Sequence, residues 1–84
     1  MKYVYLVQER HIRNGEKREF SGIGYYTSYK KALKDFNEKL ERYKNCELVD
    51  KFDEVGTYLI THIREYKIDD TFNAEIQLLK HEVY

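Results

Sequence analysis

Phe72-Asn73-Ala74-Glu75-Ile76-Gln77-Leu78-Leu79-Lys80-His81-Glu82-Val83-Tyr84 is the stretch whose reading decides the fold, because it obeys two periods at once. Phe72, Ala74, Ile76 and Leu78 alternate as in a half-buried strand. Phe72, Ile76, Leu79 and Val83 recur as one face of a helix, behind Asp70 or Thr71 as a candidate cap. Intrinsic preference separates the two. Ala, Glu, Gln, Leu, Leu and Lys favour helix, so residues 72–84 read as a C-terminal helix in preference to a fifth strand.

Upstream of it, Thr57 to Ile68 reads as a strand with apolar side chains on both parities: Tyr58, Ile60, Tyr66 and Ile68 on one, Leu59 and Ile63 on the other. Glu47 to Val55 alternates more weakly, and Gly56 separates the two as a hairpin turn. Before them, Tyr29, Ala32, Leu33, Phe36, Leu40 and Tyr43 recur as one helical stripe after Thr27 and Ser28, which offer N-cap oxygens. Asp35 precedes Lys39 and Glu38 precedes Arg42 at i+4 on the other side, and Asn45 suits a left-handed stop. The spacing predicts an amphipathic helix from about Ser28 to Asn45.

At the N-terminus, Lys2 to Ile12 alternates, with Val4 and Leu6 on one face and Tyr3, Tyr5 and Val7 on the other. Asn14-Gly15 is a strong hairpin signal, since both residues tolerate the positive φ of a type I′ turn. With those two as the loop, position i pairs with 29 − i, which sets Leu6 opposite Ile23, Val4 opposite Tyr25 and Arg10 opposite Glu19. Tyr5 and Val7 then lie across Gly24 and Gly22, where rings can cover the glycines. The expected fold is therefore α+β: an antiparallel sheet of about four strands in ββαββ order, one amphipathic helix on one face, and the C-terminal segment. Residues 1–84 form one domain, since so short a chain supports a single core.

The Gly24-Tyr25-Tyr26-Thr27-Ser28-Tyr29-Lys30-Lys31-Ala32 junction, the opening Lys-Tyr-Val-Tyr-Leu-Val strand and the late Ile63-Arg64-Glu65-Tyr66-Lys67-Ile68-Asp69 strand resemble a diffuse group of short ββαββ proteins. These are encoded mainly by phages and prophages of low-GC Gram-positive bacteria. The resemblance covers roughly residues 2–70 and implies a bacterial or phage cytoplasmic accessory protein. It carries over no catalytic residue.

Composition narrows the chemistry. The 15 basic and 15 acidic residues cancel, which removes generic attraction to nucleic acid or an anionic membrane. Their distribution is uneven: residues 1–45 carry 11 Lys/Arg against 6 Asp/Glu, and residues 46–84 carry 4 against 9. A single cysteine, Cys46, forms no internal disulfide and fits a reducing compartment. It follows a helix C-terminus, where the dipole disfavours a thiolate. No apolar run is long enough to span a bilayer, and the first residues have no signal-peptide core. His11, His62 and His81 lack metal-ligand spacing, Asp50, Asp53 and Glu54 lack the pattern of a calcium loop, and Gly22-Ile23-Gly24 lacks the third glycine of a dinucleotide fingerprint. The expectation is a protein without enzymatic activity, cofactor or metal.

Two surfaces carry functional expectations. The sheet face opposite the helix is expected to gather Tyr3, Tyr5, Val7 and Tyr26 as a partner-binding patch for another protein or a second copy, unless the C-terminal segment folds back over it. An edge strand offers the same kinds of partner a second route. The alternative is nucleic-acid or nucleotide binding, with tyrosines stacking on bases and Arg13, Lys17 and Arg18 at the hairpin tip touching phosphate, joined by Lys30, Lys31 or Lys34.

Overall fold

Asn14 and Gly15 adopt positive φ, 53° and 80°, in the computed structural model, which describes residues 2–83. The turn they form joins β1 (Lys2–Arg13) to β2 (Glu16–Lys17) and onward to β3 (Ser21–Tyr26), both of which pair with the same edge of β1. The sum-of-29 register holds next to the turn, at Ile12↔Lys17 and Arg13↔Glu16. Two irregularities then move it to Leu6↔Tyr25 and Val7↔Gly24. Arg18 N–H still bonds the His11 carbonyl (3.0 Å), after which residues 18–20 leave the ladder, and Gly22 takes a φ of 59°. The total shift from Gly24 onward is two residues, so the side chains of residues 24–26 keep the faces of the unshifted register. Gly24 has its own reason to be glycine, since a Cβ there would stand 3.0 Å from the Tyr26 ring.

Ser28 caps α1 (Tyr29–Glu41), its Oγ accepting from Lys31 N–H at 3.5 Å. The helix ends four residues before Asn45. Beyond Glu41 the bonds tighten to i→i−3, with Tyr43 N–H on the Leu40 carbonyl at 2.9 Å and Cys46 N–H on Tyr43 at 2.9 Å. The Asp35–Lys39 pair forms at 2.9 Å, but on the flank of the helix against the sheet, where Lys39 is largely buried. Arg42 lies 3.6 Å from Glu9 of β1.

The C-terminal helix and the four-strand ββαββ arrangement are corrected by the structure. β4 (Glu47–Val55) and β5 (Ile60–Asp69) form a hairpin, and residues Phe72–Val83 are β6, a twelve-residue strand; Tyr84, which ended the expected helix, lies outside the described residues. All six strands form one antiparallel sheet in the order β2-β1-β6-β5-β4, with β3 also on β1. Strand accounts for 61% of the chain and helix for 16%, so the sheet, with α1 laid on it, is the scaffold. β6 runs between β1 and β5, paired from Lys2↔Val83 to Arg13↔Phe72 on one side and from Thr61↔Leu79 to Asp69↔Phe72 on the other. Ladders on both edges outweigh the helix preference of its residues, which amounts to a few tenths of a kcal/mol at each position.

β6 also selects the buried face. Ala74, Ile76 and Leu78 are fully buried on one parity, and the pairings Val7↔Leu78 and Glu9↔Ile76 put the odd residues of β1 on that same face. The core consists of Val7, Ile76, Leu78 and Ile60 from the sheet with Ala32 and Phe36 from α1, flanked by Tyr5, Tyr26, Tyr29 and Tyr66. Glu9 is also on this face, with Arg42 and the Tyr43 hydroxyl as partners. Burial, then the bond to Glu9, push the Tyr43 phenol up to about 12.

Candidate partner-binding surface

Tyr5, Val7 and Tyr26 do share a face, and Tyr5 lies directly opposite Tyr26. It is the face α1 covers. Val7 is fully buried, the Tyr5 ring sits 5.6 Å from that of Tyr29 on α1, and the Tyr26 hydroxyl donates to Asp35 Oδ2 at 2.6 Å. That bond raises the Tyr26 pKa. Burial works against the Asp35 carboxylate, but bonds from Tyr26 and Lys39 outweigh it and hold its pKa below the ordinary value. Tyr3 carries the Lys80 ammonium 4.2 Å from its ring centroid. An open tyrosine face opposite the helix is thus overturned. The sequence hides the choice because β1 is apolar on both parities, and the residues that decide it lie in β6.

The face away from α1 is covered by its own polar side chains. Arg10 donates to both oxygens of Glu75 (3.0–3.1 Å) and stacks on Phe20 at 4.4 Å; Gln77 donates to Glu75 (2.6 Å), Gln8 to Gln77 (2.9 Å), and Asn73 to Glu65 (2.8 Å). Glu65 and Glu75 are cross-strand partners, and these donors neutralise what would be a like-charge clash. Its donors and acceptors already satisfy one another across the middle of this face.

Arg13, Lys17 and Arg18 do meet at one hairpin tip, but not as a free cationic cluster. Asn14 N–H bonds the Thr71 carbonyl (2.7 Å), which brings the tip beside the acidic Asp69-Asp70 turn. Arg13 rests over the Phe72 ring at 5.0 Å and contributes to lowering the Asp69 pKa, behind the larger effect of the Thr71 hydrogen bonds. Arg18 lies 4.0 Å from Glu16, leaving Lys17 exposed.

What remains is β4. It pairs with β5 on one side, and all nine of its residues are exposed. Leu48, Val49, Phe52 and Val55 are 44–66% accessible, and Tyr58 and Leu59 extend the apolar surface around the turn. A strand edge with both flanks wet is a row of unpaired N–H and C=O groups ready to accept another strand. β3, at the opposite edge, is shorter and is interrupted by the irregular residues 18–20 and the Gly22 backbone.

β4 is held rigidly from behind. Asp53 takes two hydrogen bonds from Arg64 (2.9 and 3.1 Å), and its Oδ1 lies 2.7 Å from His62 Nδ1. The Arg64 bonds first, then that from His62, hold the Asp53 carboxyl down to about 2. An ionised carboxylate only accepts, so Nδ1 carries a proton, while Nε2 lies 2.9 Å from the Tyr29 hydroxyl. In form this is an acid–imidazole–hydroxyl relay. In place it is a brace from β4 through β5 to the first turn of α1, and surface depressions lie elsewhere: over the outer face of α1, beside Tyr26, and between the two turns at Asn14 and Asp70. Asp50, Asp53 and Glu54 stand on a solvated strand edge, and His62 is a partly covered strand residue. The brace went unread because its members are distant in sequence.

Among the described residues, no group of three or more His, Cys, Asp or Glu converges as metal ligands, and no helix is long and apolar enough to cross a membrane. No family model, curated protein or solved structure matches the chain.

Proposed function

We propose that this chain is a non-enzymatic binding protein that engages another protein by strand addition at the free edge of β4. The supporting observation is the pairing of β4 on one side alone, with nine exposed residues, four of them large and apolar, on a strand braced through Asp53, Arg64 and His62. Main-chain bonds supply affinity in this mode, and the alternating side chains supply selectivity. Rigid bracing lowers the ordering cost of binding. The resemblance to short phage and prophage proteins directs the search to partners in the bacterial cytoplasm. Phosphate binding at Arg13, Lys17 and Arg18 has less support, because Asp69 and Glu16 stand beside two of the three cations.

The test uses Lys51→Pro. By the ladder's alternation Lys51 N–H points away from β5 and bonds only the adjacent Asp50 Oδ1 at 2.9 Å, so proline there blocks the edge without removing a β4–β5 bond. Tagged wild type and variant are compared for proteins retained from a bacterial lysate. Proteins held by wild type and lost from a folded Lys51→Pro chain, or self-association lost from that chain, support the reading; identical sets together with unchanged self-association overturn it.

A further inference from the structure

We propose that the strand at the β4 edge is β4 of a second copy, in an antiparallel pair whose two-fold axis passes through Phe52. This rests on the strand-addition reading and adds the partner and the register.

Hydrogen-bonding parity comes first. Gly56 N–H bonds the Leu59 carbonyl at 2.7 Å, and β4 and β5 stay in step from Val55↔Ile60 to Asp50↔Glu65. Bonded and non-bonded pairs alternate, so Glu54, Phe52 and Asp50 turn their backbone groups to β5, while Val55, Asp53 and Lys51 turn theirs outward. The self-satisfied Lys51 N–H agrees with this.

Symmetry comes next. A two-fold axis between identical antiparallel strands keeps opposite residues on the same face, so the axis must pass through a residue. Centred on Lys51, the two ammonium groups meet and Asp50 lies against Phe52. Centred on Asp53, two carboxylates meet and Phe52 lies against Glu54. Centred on Phe52, the two rings meet and Lys51 faces Asp53 of the second copy twice; the irregularity between Leu48 and Asp50 takes Val49 out of the ladder. Alike rings and opposite charges pair in this register alone of the three, and what opposes it is Asp50 against Glu54 of the second copy, on either side of the rings. Lys51, whose ammonium makes no ion pair among the described residues, gains one. The charges nearest the axis therefore select a register instead of barring association, while Phe52, 48% accessible, loses exposure.

The experiment replaces Cys46 with serine and introduces single cysteines by Phe52→Cys, Lys51→Cys or Glu54→Cys. On the axis, residue 52 meets its copy in a non-hydrogen-bonded pair with Cα atoms about 4.5 Å apart, inside the range of about 4.4–6.8 Å for a disulfide. Under mild oxidant, Phe52→Cys is expected to cross-link at least about tenfold faster than the other two, whose copies lie farther apart. Light scattering of the wild-type chain is expected to give twice 10.3 kDa at high concentration. Lys51→Glu is expected to weaken the dimer about tenfold and Asp50→Asn to tighten it several-fold. A wild-type chain that stays at 10.3 kDa at millimolar concentration, or fastest linking at position 51 or 54, overturns the proposal. In that event strand addition itself still stands if lysate proteins held by wild type are lost from Lys51→Pro, and falls with the dimer if they are not.

Discussion

The phenol of Tyr29 and the carboxylate of Asp53 are joined through a single imidazole, with His62 Nε2 2.9 Å from one and Nδ1 2.7 Å from the other. The helix start and the sheet edge are thereby mechanically linked. His62→Phe keeps the ring volume, takes this partner from the Tyr29 hydroxyl and leaves Asp53 with its Arg64 bonds alone. It is expected to cost about 1–3 kcal/mol in urea unfolding and to speed amide exchange in β4 more than in β6.

Acid should act on the same link. Asp53 titrates near 2 in the folded chain against an ordinary value of about 3.9. Its depressed pKa makes its contribution complete above the unfolded value and lost as pH falls through the folded one. Stability is expected to decline from about pH 4 toward pH 2, with a shallower decline in Asp53→Asn. Equal slopes would place the acid sensitivity elsewhere.

Tyr43 gives the opposite limb. Its phenol is raised to about 12, so its stabilisation is complete below the unfolded value of about 10 and is lost as pH rises through the folded one. Phenolate absorbance should include a late step from Tyr43. Tyr43→Phe should abolish that step and flatten stability between the two values.

Parity in β6 is open to mutation. Leu78 is fully buried and Gln77 lies on the other face. Leu78→Ala is expected to cost about 2–5 kcal/mol in chemical denaturation, and Gln77→Ala about 1 kcal/mol. Comparable costs would contradict the alternation.

The polar face makes its own demand. Glu75→Ala leaves Arg10, held by three hydrogen bonds, without its acceptor, and is expected to cost about 1.5–3 kcal/mol by thermal or urea unfolding. Glu75→Gln, which keeps an oxygen acceptor, should cost less.

Local signals were legible wherever chemistry is decided within a few residues. Asn14-Gly15 marked the turn, Ser28 the helix start, and β4 was bounded at Glu47 and Val55. The hairpin register was legible only next to the turn, because the slip arises from residues 18–20 and Gly22, whose unusual backbone has no periodic signature. The C-terminal strand was misread because its residues prefer helix and the forces that overrule them come from β1 and β5, remote in sequence. That one misreading carried the tyrosine face with it: without β6 nothing marks which side of β1 is inner. The edge at β4 was foreseeable as a strand, but its freedom depends on the strand order, which requires knowing where β6 goes.

Lys2 opposite Val83 has a consequence for how the molecule comes into being. The pair at the middle of the sheet joins β1 to β6, its first and sixth strands, so on the ribosome β1 and α1 emerge before the central strand that completes their core. Closure waits for β6, after which the longest loop in the topology shuts at once. Such high contact order predicts slow, all-or-none folding. It also predicts that cutting back β6 yields no smaller folded form, whereas joining the adjacent strand ends and opening the chain at Gly56 would let the central pair form as a short-range hairpin and fold faster.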